Sequence, residues 1–154
     1  MDKIIIYCDG ACSGNQFNEN VGGWGAVLKY KDKRKEIYGG EKNTTNNVME
    51  LTAAIKALAV LKTTNIPVEV YADSSYLVNG MNEWVHNWVK KGWKTTKKKP
   101  VENKELWIKL KELVDKQNDI KFIKVKGHNG IELNEKADEL ANKGMEELRE
   151  KMEG

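Results

Sequence analysis

The stretch that decides the fold is Lys3-Ile4-Ile5-Ile6-Tyr7-Cys8-Asp9-Gly10. Three isoleucines, a tyrosine and a cysteine in unbroken succession predict a strand buried on both faces. A lone carboxylate is costly to bury, yet Asp9 stands where this apolar run ends, against a glycine that permits a turn. The same grammar recurs at Val68-Glu69-Val70-Tyr71-Ala72-Asp73. Adjacent strands in one sheet lie about 4.8 Å apart, so the two terminal carboxylates would nearly touch. They would repel, and one would keep its proton, unless a cation lay between them. A chain that builds this arrangement twice is expected to build a metal site.

Working outward, the residues before and after the first strand predict an antiparallel meander. The first strand is expected to end near Cys12, and a polar loop rich in glycine and asparagine to run from Ser13 to Gly23. Trp24–Tyr30 is the second strand, Lys31–Arg34 a hairpin turn, and Lys35–Gly40 a third, weaker strand. The period then changes. Val48, Leu51, Ile55, Leu58 and Leu61 recur at helical spacing, with Thr45-Asn46-Asn47 as the N-terminal cap. A strand–helix–strand passage of this length is a crossover, which makes the strand ending at Asp73 parallel to its neighbour. Beyond it come a short helix over 74–81, a second over 82–91 closed by Gly92, and a lysine-rich loop over 93–100. An amphipathic helix over 103–117, a fifth strand over 120–126, a loop over 127–130 and a final helix from about Leu133 to Met152 complete the chain.

The 154 residues fit one domain, 1–154, with a basic handle at about 82–101. Hydrophobic residues make up 40% and charged residues 32%, a balance that excludes a disordered chain. No apolar stretch is long enough for a membrane span and no signal-peptide pattern precedes the first strand, so a cytoplasmic location and no membrane partner are expected. Two cysteines, Cys8 and Cys12, rule out a disulfide scaffold and a thiolate zinc site. The net charge of +3 is unevenly spread. From His86 to Lys104 there are seven lysines against one acid, so this block carries +6 and the rest of the chain −3. Such a block calls for a polyanionic partner.

Further polar residues join Asp9 and Asp73. Glu50 has two readings: the acid of a capping box over Asn47-Val48-Met49-Glu50, or a third carboxylate aimed at the sheet end. Asp73 can likewise cap the following helix. Asp138 has no lysine or arginine three or four residues away, so it lacks the usual helical ion pair. His128, between glycines, is a candidate proton carrier. All-oxygen ligands select magnesium or manganese over zinc or copper, and magnesium on carboxylates serves phosphoryl chemistry. Lysines of the basic block can neutralise a phosphate backbone. Trp84, Trp88, Trp93 and Trp107 lie among or beside them and either pack on sugars and bases or fill the core.

Five motifs in register resemble the type 1 ribonuclease H family. They are Asp9-Gly10 with Gly14-Asn15 and Gly22-Gly23-Trp24-Gly25; Thr45-Asn46-Asn47-Val48-Met49-Glu50-Leu51; Ala72-Asp73-Ser74; Val125-Lys126-Gly127-His128-Asn129-Gly130; and Asn134-Glu135-Lys136-Ala137-Asp138-Glu139-Leu140-Ala141. The resemblance covers essentially the whole chain and implies an α/β ribonuclease H-like fold. That fold is a five-stranded mixed sheet, three antiparallel strands followed by parallel crossover strands, flanked by helices. It implies endonucleolytic cleavage of the RNA strand of RNA–DNA hybrids by two-metal catalysis, with 5′-phosphate and 3′-hydroxyl products, by a monomer. It implies two Mg2+ ions with substrate, Mn2+ as a substitute, held by Asp9, Glu50, Asp73 and Asp138, with His128 as a mobile catalytic histidine. It further implies substrate contacts from Asn15, Asn46 and Asn47 near the cut. Thr45 and Asn103 would form a DNA phosphate pocket, and Trp84 through Lys99, with Lys90, Lys91, Lys94, Lys97 and Lys98, would form the handle. Three positions depart from the family pattern: Asn43 in place of an arginine, Ser75 in place of a glutamine, and a longer stretch over 16–21 without Pro-Gly. The rival readings are a non-catalytic hybrid-binding module and a same-fold nuclease for another duplex.

Overall fold

The computed structural model describes residues 2–15, 18–95, 97, 99–126 and 131–153. Its centre is a five-stranded mixed sheet of order β3-β2-β1-β4-β5. Strands β1 (Ile4–Asn15), β2 (Asn18–Tyr30) and β3 (Lys33–Lys42) are antiparallel. Strand β4 (Val68–Ala72) runs parallel to β1, and β5 (Ile120–Lys124) parallel to β4. The crossover between β1–β3 and β4 is helix α1 (Asn46–Val60), as the change of period predicts.

Most expected boundaries shift by a residue or two, β3 starting at Lys33 inside the expected turn and β5 ending at Lys124; two segments change more. The 13–23 segment is not a loop: β1 continues to Asn15 and β2 begins at Asn18, paired as far as Asn15 with Asn18 through a bulge. Glycine and asparagine disfavour strand locally, but pairing with β1, joined from Val21 onward by pairing with β3, satisfies backbone groups and overrides the preference. Gln16 and Phe17 lie outside the described residues. Gly10 is likewise no turn; it pairs with Trp24 within β1.

The second correction lies in the 74–91 segment. Helix α2 (Ser75–Asn79), a π-helical turn (Gly80–Trp84) and α3 (Val85–Lys90) form one unbroken helical run instead of two helices. Helix α4 (Lys104–Asp115) and the long α5 (Glu132–Glu153) follow. The bare Cα of Gly80 faces the indole of Trp107, which is wholly buried. Trp107 is therefore a core residue. Trp84, Trp88 and Trp93 are half-buried and pack against one another, with centroids 6.0 Å apart for Trp84–Trp88 and 6.2 Å for Trp88–Trp93.

One face of the sheet carries Ile6, Cys8, Val68 and Val70, fully buried with Leu51, Ala54 and Leu58 of α1. The other face of β1–β3 is covered by α5. This helix lies unusually close. A methyl group on Gly25 would sit 2.6 Å from Leu140 Cβ and 2.7 Å from the Ala137 carbonyl. The glycines of β2 thus let α5 rest on the strand backbone, which brings Asp138, between Ala137 and Leu140, down to the sheet.

Candidate active site

Asp9, Glu50 and Asp73 converge at one end of the sheet. Each offers a carboxylate oxygen, and these atoms lie within 4.8 Å of one another. Asp9 and Asp73 meet by register. Tyr7 is paired with Tyr71 across the parallel β1–β4 ladder, and each aspartate lies two residues further on the same face. Glu50 arrives from α1. The helix is capped by Thr45, whose backbone is extended and whose hydroxyl accepts the Val48 N–H at 3.1 Å. Asn47 is therefore inside the helix, the capping-box reading of Glu50 does not hold, and Glu50 is turned inward and buried. The cap of α2 is Ser74, which accepts from Leu77 N–H at 3.1 Å, so Asp73 is not needed as a cap either. Asp138 on α5 comes near enough to Asp9 to raise its pKa, while standing outside the cluster of three.

Neighbouring acids have ordinary explanations, and these do not. Glu69 on β4 accepts from Lys3 at 3.0 Å and from the Tyr71 hydroxyl at 2.9 Å, and the Lys3 bond holds its pKa down. On α5, Glu132 pairs with Arg34 and Glu139 with Lys136. Among the described residues no lysine or arginine forms a salt bridge with Asp9, Glu50, Asp73 or Asp138. Burial pushes the Asp9 carboxyl well above the usual range; the Asp73 charge and the Asp138 carboxyl add to the rise, and hydrogen bonds from Glu50 and the Gly10 N–H oppose it. Burial raises Glu50 further still, with the Asp9 charge next in weight. Its Oε2 is buried and without a hydrogen-bond partner. Hard oxygen donors, mutual repulsion and an orphaned carboxylate oxygen together fit a hard divalent cation. The residues that can hold it are Asp9, Glu50 and Asp73.

The family model for RNase H matches residues 1–146. The chain belongs to the ribonuclease H family. It is 54% identical over 147 residues to the ribonuclease H of Francisella tularensis subsp. novicida, covering 96% of this chain and 93% of that one. It is 50% identical over 149 residues to the ribonuclease H of Chromobacterium violaceum, covering 96% and 97%. Among solved structures, LC9-RNase H1, a type 1 RNase H with the type 2 active-site motif, superposes with a TM-score of 0.82 at 33% identity, over 94% of this chain and 72% of that chain. LC11-RNase H1, in complex with RNA/DNA hybrid, gives 0.69 at 28% identity over 95% and 99%. As a ribonuclease H, the chain is an endoribonuclease, and the acidic cluster is suited to metal-assisted hydrolysis.

The other predicted site residues fall into two groups. Thr45 caps α1, and Asn46 and Asn47 are exposed in its first turn. Asn103 adopts a left-handed conformation (φ 58°) ahead of α4 and donates from Nδ2 to the Tyr76 hydroxyl at 3.1 Å. Lys90, Lys91, Lys94, Lys97 and Lys99 are exposed. The lysine loop is not structureless: Lys94 bridges Pro100, and the Thr95 N–H donates to the Lys99 carbonyl at 2.8 Å. Beside it Trp84, Asn87, Trp88, Lys91, Lys94 and Thr95 line a surface trough of about 460 Å3. His128, Lys98 and the side chain of Asn15 lie outside what is described. What the sequence did not reveal is why Glu50 faces Asp9. The reason is contact with Gly10, which the motif Asp9-Gly10 hinted at only through its missing Cβ.

Proposed function

We propose that this ribonuclease H cleaves the RNA strand of RNA–DNA hybrids. The observation that carries the reading is the convergence of buried Asp9 and Glu50 with half-buried Asp73, none of them paired with a lysine or arginine among the described residues, and with Asp138 near Asp9. Its relation to LC11-RNase H1, solved with such a hybrid, supports the substrate class.

Asp9, Glu50, Asp73 and Asp138 would hold Mg2+, with Mn2+ able to substitute. Held by these residues as a pair, such ions would supply Lewis acidity for activating water and stabilising charge at the leaving 3′ oxygen. The chain's own residues do the rest. Burial keeps the Asp9 and Glu50 carboxylates fixed, so little reorganisation accompanies charge development. The Thr45 hydroxyl already accepts from Val48 N–H, which directs its own proton outward to donate to a phosphate oxygen. Asn46 and Asn47, exposed at the N-terminus of α1, contact the minor groove, where shape and 2′-hydroxyls distinguish RNA from DNA. Asn15 joins them there, and Asn103 joins Thr45 at the DNA phosphate. The segment 82–101 is the handle: Trp84 and the trough beside it receive the DNA sugar–phosphate chain, and Lys90, Lys91, Lys94, Lys97, Lys98 and Lys99 neutralise its charge. His128 moves a proton at the cut. Products carry 5′-phosphate and 3′-hydroxyl ends.

The protein would act as a cytoplasmic monomer; among the described residues no helix is long and apolar enough to cross a membrane. The test is incubation of labelled RNA–DNA, RNA–RNA and DNA–DNA duplexes with Mg2+, with and without chelator. Cleavage of the RNA strand of the hybrid alone, abolished by chelator, is expected. Equal cutting of RNA–RNA duplex, or binding without cutting, would overturn the reading.

A further inference from the structure

Asn20 stands where the β2–β3 ladder ends. The last pair is Val21 with Lys42, after which β3 leaves through Asn43 in a left-handed conformation, φ 51°. A non-glycine residue in that region needs support from its surroundings. Asn20 supplies it three times. Its backbone carbonyl accepts the Asn43 N–H at 3.0 Å. Its side-chain Oδ1 accepts the Thr44 N–H at 3.0 Å, and its Nδ2 donates to the Thr44 carbonyl at 2.8 Å. A carboxamide carries the same donor and acceptor as a peptide group. The side chain therefore carries the ladder around a corner where the backbone cannot.

The clamped residue is itself an anchor. Thr44 is buried, and a methyl group on Gly22 would lie 2.5 Å from its Cγ2. Cys12 Sγ donates to the same Thr44 carbonyl at 3.6 Å. The next residue is Thr45, the cap of α1, followed by Asn46 and Asn47. A continuous set of short contacts thus joins Asn20 to the three residues proposed to meet the hybrid. Glu50 is held by a different contact, its backbone pressed on Gly10 of β1.

We infer that Asn20 is a positioning residue for substrate recognition: it fixes the Asn43–Thr44 turn and so sets the pose of Thr45, Asn46 and Asn47, independently of the carboxylates. It lies in the 16–21 stretch that departs from the family pattern, so the clamp accompanies that departure. The inference rests on the proposed function and deepens it. An interaction present equally in ground and transition states changes KM and leaves kcat alone.

The experiment measures kcat, KM and Tm on an RNA–DNA hybrid for wild type and Asn20→Ala, then closes two double-mutant cycles. Asn20→Ala should raise KM about tenfold, with kcat and the half-saturating Mg2+ concentration within about twofold of wild type. In the cycle with Asn47→Ala the two effects should be strongly less than additive; in the cycle with Lys94→Ala they should add. A KM within about twofold of wild type, a fall in kcat at unchanged KM, or additivity with Asn47→Ala would overturn the inference. If Asn20→Ala does not fold, Asn20→Asp replaces it. The aspartate keeps the acceptor for Thr44 N–H but sets an oxygen against the Thr44 carbonyl, so the same KM split is expected, and an unchanged KM overturns the assignment. Wild-type protein that fails to cut the hybrid would sink the proposed function; wild-type cutting with an unaltered Asn20 variant sinks only the clamp.

Discussion

Gly10 of β1 and Glu50 of α1 are in direct backbone contact: a methyl group added to Gly10 would lie 2.6 Å from the Glu50 nitrogen and 2.6 Å from the Met49 carbonyl carbon. No Cβ fits at that distance, so helix and strand approach this closely only because residue 10 is glycine. The contact sets Glu50 beside Asp9, whose Oδ1 also accepts the Gly10 N–H at 2.9 Å.

Gly10→Ala is therefore expected to push the start of α1 off the sheet. Overpacking of this kind costs about 1–3 kcal/mol, to be read as a fall in Tm or in the urea midpoint. The larger effect should be on turnover, since a displacement of about 1 Å at a catalytic group costs about 10²-fold. A variant with wild-type kcat would mean that the Glu50 position is not set by this contact.

The stability that Asp9 and Glu50 contribute to metal-free protein should fall as pH rises. Asp9 is raised to about 7 by burial first of all, and Glu50 is raised as well, whereas unfolded carboxylates titrate near pH ~4. Between pH ~4 and ~7 the folded chain therefore holds protons that the unfolded chain has released. The contribution of these two carboxyls is fully present below pH ~4 and declines through that window, by about 1.4 kcal/mol per pH unit for each proton involved. Asp9→Asn or Glu50→Gln should flatten the decline and match or exceed the wild-type Tm at pH 7 without metal. Denaturation curves across pH in chelator check this; a mutant less stable than wild type at pH 7 would count against electrostatic strain.

Turnover, and not metal affinity, should respond to His128→Ala. Acid–base assistance contributes about 10²–10⁴-fold, so kcat is expected to fall by about 10²-fold while the Mg2+ titration midpoint stays in place. A tenfold shift in that midpoint would make His128 a ligand instead.

Salt dependence tests the handle. Lys94, Lys97 and Lys99 are exposed, and Lys98 is their sequence neighbour. Each phosphate contact contributes about 0.7–0.9 to the slope of log affinity against log salt. Changing these four lysines to alanine should flatten the slope by about two to three units and raise KM, with kcat near wild type at saturating hybrid. A mutant with the wild-type slope would show that the handle does not neutralise phosphate.

The antiparallel meander, the helical crossover and the acids worth suspecting were legible in the residues themselves, whereas the place of β5 beside β4 was not. Ile4–Tyr7 and Val68–Ala72 are apolar runs that only a two-sided core accepts, and a helix between them makes the strands parallel. Once the strands are parallel and adjacent, Asp9 and Asp73 must face each other. The approach of α5 was not legible, because a glycine at 25 in β2 serves a bend as well as a bare surface for a helix. The π-helical turn over Gly80–Trp84 was hidden because its one extra residue falls in a run too short to show the shift in apolar period, and there Gly80 lies bare against Trp107. The 13–23 segment read as loop because local preference favours loop, and the ladder partners that overrule it are distant in sequence. Glu50 is the sharpest case. Asn47 and Glu50 have the spacing of a capping box, and a cap one turn long costs or gains only about 1 kcal/mol. So small a preference is settled by Thr45 taking the cap and by Gly10 giving Glu50 its place beside Asp9.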